Sequence, residues 1–197
     1  MEKIKARVQQ KKNIYIHNDL SNAAHYFKTS IEGRLEKDDR NGIAFEYMAC
    51  AVMLAFTFEA KLNFLGHTLF GKEWVERDPF DTKVKKIFDK LGVPRDPAQR
   101  PFSSIDRLRR FRDSVAHGKP VELEHDETVV ATPDELDNST DLSGEWQAAI
   151  AHDAVFEAYG DLEALWKLLL EKSGLSIFDT LTRGEQGITF IEKVVDQ

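Results

Sequence analysis

The segment NGIAFEYMACAVMLAFTFEAKLNFLGHTLFG, Asn41 to Gly71, leaves this chain few choices. It reads as one long helix from Gly42 toward Gly71, apolar nearly all round in its middle, and such a helix must be enclosed. Its densest run, Met48 to Phe58, is bounded by Glu46 and Glu59. At about a dozen residues that run is too short to cross a bilayer. The segment is therefore expected at the centre of a bundle, with the other helices packed around it.

Four further helices are expected. NDLSNAAHYFKTSIEGRLEK has amphipathic spacing, with Asn18 or Asp19 as its cap. PFDTKVKKIFDKLG carries Val84, Ile87, Phe88 and Leu91 on one stripe and stops at Gly92. A helix capped by Ser103 or Ser104 runs to His117, with Gly118 in the left-handed conformation. The last, AAIAHDAVFEAYGDLEALWKLLLEK, has its stripe through Val155, Tyr159, Leu162, Leu165, Trp166 and Leu169 and ends near Gly174. The fold class is thus all-α, a bundle of four to five helices around one long core helix. One domain over 1–197 has room for this, with its core at about 20–172. An acidic insertion follows at 121–145, where VELEHDETVVAT could form a small hairpin turning at Asp126 and Glu127. Residues 174–197, with the apolar GITFIEKVV, form a C-terminal appendage.

Charge is unevenly spread. The net charge of −7 argues against nonspecific coating of nucleic acid, yet Arg100 to Lys119 holds six basic and two acidic residues. Val121 to Trp166 holds thirteen acidic residues and no lysine or arginine. The single cysteine, Cys50, lies in the apolar run as a buried thiol, which fits a reducing, cytoplasmic setting. No signal peptide or membrane anchor is read. There is no phosphate-binding glycine loop, dinucleotide fingerprint, His-Glu-x-x-His or cysteine-based metal site. Neither a metal nor a cofactor is expected; His125 and Asp126 read as solvated, and the three tryptophans as packing residues.

The chemistry concentrates in RLRRFRDSVAHGKP. Asp106, Arg110, Asp113 and His117 form a polar stripe on one helix face. Arg112 falls instead with Ile105, Leu108 and Val115, with Phe111 at the edge of that face. An unpaired guanidinium there would be costly. Glu59, isolated in the long apolar helix, is one candidate partner; an anionic substrate in a cleft or at a subunit interface is the other, and the two are compatible. His117, at the helix end, has Asp113 one turn back to orient its imidazole. By itself such a histidine can also be no more than a cap.

Arg112-Asp113-x-x-x-His117 resembles the R-x(4-6)-H motif of the HEPN superfamily. FEAKLNFLG, with Glu59 and Asn63, is similar to the acidic-plus-asparagine segment of its core helix, and Asp106 resembles an acidic position of some ribonuclease members. The resemblance covers roughly Leu20 to Lys172. It implies a bundle that dimerises with two motifs facing across a cleft, and a metal-independent endoribonuclease in defence or stress response. His117 would be base or acid and Arg112 would hold the phosphate. Asp113 would orient His117, and Asp106 would position an arginine. Arg107, Arg109, Arg110 and Lys119 would meet the RNA backbone. Family members paired with a nucleotidyltransferase antitoxin commonly carry a tyrosine where this chain has Lys119, so regulation through that tyrosine is not implied; a regulatory protein partner still is. RNA cleavage by its own 2′-hydroxyl needs a base, an acid and a cation, and a symmetric dimer supplies two histidines.

Two alternatives stay open. The chain can be a non-catalytic HEPN-like module that binds nucleotide, nucleic acid or protein, with Arg112 satisfied by Glu59. The acidic 121–166 region can be a docking surface or nucleic-acid mimic for a basic partner.

Overall fold

Covering the long apolar helix organises the structure, a computed structural model that describes residues 3–137 and 144–194. That helix, α2, spans Ile43–Phe70, and both of its ends are set by glycine: Gly42 is left-handed (φ 70°) and Gly71 closes it at φ 55°. The preceding helix α1, Ile16–Leu35, returns along α2 as an antiparallel neighbour. Helices α3 (Phe80–Leu91), α4 (Phe102–Ala116) and α7 (His152–Ser173) complete the sheath, with two short helices, α5 (Pro133–Asp137) and α6 (Glu145–Ala149), before α7. The core contains Ile31, Leu54, Leu62, Leu65, Ile87, Phe88, Leu108, Phe111, Leu162 and Leu165, all nearly inaccessible. The chain is thus mostly helical, a bundle with a small two-stranded sheet.

The α2 segment is longer than its densest apolar run suggested. At 28 residues, and through Glu73, it is the one helix among the described residues long and apolar enough to span a membrane. Length does not exclude that role; what marks α2 as a core helix is its packing against α1, α3, α4 and α7 and the ion pairs made by Glu59 and Lys61. Cys50 is buried, as expected, and desolvation pushes its thiol up to about 11.

Several expectations are corrected. The N-terminal lead-in is strand β1 (Lys3–Asn13), and the C-terminal appendage is strand β2 (Arg183–Val194). They pair antiparallel from Asn13↔Arg183 to Lys3↔Val194, with a bulge between Lys5 and Ala6, so the fold is not purely α. The hairpin expected within 121–145 is absent: residues 117–132 have no regular structure and are exposed, because no neighbouring strand or apolar surface covers them. Residues 138–143 of that stretch lie outside the described residues.

Caps also differ. Tyr15, not Asn18 or Asp19, precedes α1, and the Asn18 amide donates to the carbonyls of Tyr15 and Thr180. Helix α4 starts after Pro101 with no side-chain cap, because the Ser104 hydroxyl turns inward to Asp161. Gly118 is not left-handed; α4 ends when the His117 N–H reaches the Asp113 carbonyl, and no buried apolar residue follows to fix a reversal. The last expected helix is interrupted at Ile150 and Ala151, which divide α6 from α7.

The ribbon joins the bundle beside His17, which is 3% exposed and packs against Phe64 and Trp166. Burial, then the positive charge of Lys61, lower its pKa to about 4. The folded protein therefore binds fewer protons than the unfolded chain between the ordinary histidine value near 6.5 and about 4. Stability is fully present above that window and falls as pH drops through it; denaturant unfolding across the window will show this slope, and His17→Phe will flatten it.

A second prediction concerns Gly66. A Cβ there would lie 2.1 Å from Cε2 of the buried Trp74, whose ring stacks on Phe70. Alanine gains about 1 kcal/mol over glycine inside a helix, whereas overpacking of this severity costs more. Gly66→Ala is expected to lower stability by about 2 kcal/mol, read as a lower urea midpoint.

Candidate functional site

Helix α4 is pinned at its start by a polar cluster around the buried Asp161. Arg100 donates twice to Asp161 of α7, both at 2.9 Å, and the Ser104 hydroxyl donates to the same carboxylate at 2.6 Å. Burial would raise the Asp161 pKa, but these hydrogen bonds outweigh it and hold the carboxyl below its ordinary value. Asp161 and Lys83 were not singled out from the sequence, although each stands on an apolar stripe, Asp161 between Ala158 and Leu165 and Lys83 between Phe80 and Ile87.

One face of α4 meets α2. Arg112 donates from Nη2 to Glu59 at 3.2 Å and approaches Asp113 from Nε at 3.2 Å. Glu59 accepts a second cation, the Lys83 ammonium, at 3.0 Å; the Lys83 side chain is 3% exposed. The Arg112 guanidinium also lies 5.8 Å from the Phe56 ring centroid. The Glu59 expectation for Arg112 is met, and the arginine is only partly withdrawn: its side chain remains 25% exposed beside a shallow depression lined by Phe58, Phe80 and Arg109. Asn63, one turn beyond Glu59, is half-buried, and its Oδ1 has no hydrogen-bond partner among the described residues. It makes no contact with Arg112 in the hydrogen-bond network described.

The remaining candidates are partly brought together. His117 caps α4 and is exposed, and its imidazole has no hydrogen-bond or ion-pair partner among the described residues. The Asp113 carboxylate engages Arg112, and Arg109 at 4.0 Å, rather than the His117 ring; only its carbonyl touches His117, through the backbone. Asp106 pairs with Arg109 at 3.1 Å and Arg110 at 3.2 Å. Arg107 turns away to Glu157 of α7, at 3.7 Å. Arg110 and Lys119 are exposed beside His117's end of the helix, whereas Arg109 lies against the Phe80 ring. Val115, expected on the apolar face, is 44% exposed because α4 outruns the bundle in its last turn.

Among the described residues no group of three His, Cys, Asp or Glu side chains is placed to hold a metal ion. No family model, curated protein or solved structure matches this chain.

The pinning cluster predicts a pH signature. Asp161→Asn removes a charged acceptor shared by Arg100 and Ser104 and should cost about 2 kcal/mol at neutral pH. Because the folded carboxyl titrates below its unfolded value, that contribution is present above about pH 4 and disappears on further acidification. Unfolding curves of wild type and variant are therefore expected to converge in acid.

Proposed function

We propose that this chain is a HEPN-type endoribonuclease that acts as a homodimer and cleaves RNA without a metal. The observation that carries the reading is the pairing, on one helix, of a guanidinium oriented by carboxylates with an unengaged imidazole five residues on, Arg112 and His117. Arg112 is still partly open to solvent, so its remaining donors can meet a phosphate bidentately. Glu59 and Asp113 hold it in place, and Asp106 pairs with Arg109, which lines the same depression as Arg112, and with the exposed Arg110.

In this mechanism one imidazole takes the proton from the 2′-hydroxyl as its oxygen attacks phosphorus. The second copy's imidazole protonates the departing 5′-oxygen. The products are a 2′,3′-cyclic phosphate and a 5′-hydroxyl, and Arg112 stabilises the charge of the phosphorane between them. Two copies are needed because each chain brings one histidine to this end of α4. Exposed Arg110 and Lys119 supply approach contacts to the backbone.

A second reading has its own support. Glu59 and Asp113 together neutralise Arg112, and Asp113 does not orient His117, which suits a non-catalytic module that binds nucleic acid, nucleotide or protein. The two readings separate in one assay of purified protein on a mixed RNA pool with excess chelator. The ribonuclease is expected to yield 2′,3′-cyclic phosphate ends. His117→Ala and Arg112→Ala should each reduce the rate at least about 100-fold, with sedimentation unchanged. Cleavage by both variants at the wild-type rate would refute the catalytic assignment; absence of cleavage by wild type favours the binding module.

A further inference from the structure

The β1–β2 ribbon is amphipathic and open. Its two strands hold seven basic and two acidic residues, a net charge of +5 in a protein whose total is −7. Along β1, Ile4, Ala6 and Val8 alternate with Lys3, Lys5 and Arg7, and every residue of β2 is exposed. Opposite the apolar side of β1 stand Phe190 and Ile188, in register with Ala6 and Val8. Ile4, Val8, Ile188 and Phe190 are each more than half exposed. A two-stranded ribbon with a bare apolar face and two unpaired edges is marginal by itself and a template for another strand.

The chain also carries a segment patterned to fill that edge. From Val121 to Asp126, Val121 and Leu123 alternate with Glu122, Glu124 and Asp126, with the period of a strand. The segment has no regular structure and is exposed throughout. Laid antiparallel against β1, one face would set Val121 and Leu123 beside Val8 and Ala6, and the other would set Glu122 and Glu124 beside Arg7 and Lys5. Charge and apolar spacing agree in the same register. Within one chain neither partner covers the other.

We infer that the Val121–Asp126 segment of one copy adds as a third strand to the free edge of β1 in a second copy. Each chain contains both halves of the contact, so a two-fold pair makes it twice and pairs the β1 edge of both ribbons. The unfulfilled hairpin pattern then has its partner in trans. This association does not depend on the ribonuclease reading and is measured without RNA.

The test is sedimentation over a wide concentration range with charge reversals on each side. Lys5→Glu with Arg7→Glu reverses the two cations of that register, at the cost only of the exposed Lys5–Glu192 pair; Glu122→Lys with Glu124→Lys reverses the segment. All four residues are exposed, so circular dichroism is expected to remain that of wild type. Each variant alone should self-associate roughly tenfold or more weakly than wild type. Mixed together they should recover, because each then offers the charge the other lacks. Wild type that stays monomeric, variants that associate like wild type, or a mixture that stays apart would each overturn the inference. So would a ribbon variant that loses binding to a single-stranded oligonucleotide while sedimenting unchanged, which would assign the ribbon to nucleic acid.

Discussion

Everything in this fold follows from enclosing α2, and the most demanding point on that helix is Glu59. A carboxylate inside a long apolar helix needs cations brought to it, and two other helices bring them: Lys83 from α3 and Arg112 from α4. Lys83 is almost wholly buried beside it, so loss of the Glu59 carboxylate would leave that ammonium unpaired away from water. Apolar burial draws α1, α3, α4 and α7 together without much direction. The Glu59 pairs, with the Arg100–Asp161–Ser104 cluster at the other end of α4, fix how α3 and α4 are set against the core.

That arrangement links packing to chemistry. Arg112 is not a free surface cation waiting for a ligand; it is a structural cation with part of its guanidinium left open. Such a group is stiff and aimed, which suits recognition of a phosphate geometry, but its charge is already shared with Glu59 and Asp113. His117 is the opposite case. It sits at the end of α4, exposed, and its ring has no hydrogen-bond or ion-pair partner among the described residues. The acidic stretch and the basic ribbon show the same incompleteness on a larger scale, and both readings of the protein turn on contacts that one copy does not make.

Much of this was legible in the residues. The glycines at 42, 71, 92 and 174 stand where helices end, because a left-handed or otherwise unusual backbone conformation is cheap only for glycine. The stripes of α3 and α7 pointed to the right packing faces, and Arg112 on the apolar side of α4 made the isolated Glu59 one of its two candidate partners. Less legible were caps and strands. Ser104 has the chemistry of a cap, yet the buried carboxylate of Asp161 on α7 takes its hydroxyl from the helix end. Lys3 to Asn13 is not read as a strand in the sequence because half of a ribbon pairs with residues 170 to 191 positions later, a distance at which no local pattern can signal register.

By itself, then, the amino-acid order determined which stretches are helical, where they stop and which faces are apolar, since these depend on periodicity and backbone preference within a few residues. Only the tertiary structure decided that Lys83 joins Arg112 on Glu59, that Asp113 turns to arginines and not to His117, and that the chain's two ends zip into a ribbon. Each of those is a competition among partners distant in sequence, settled by desolvation and by which groups the packed helices bring within hydrogen-bonding reach.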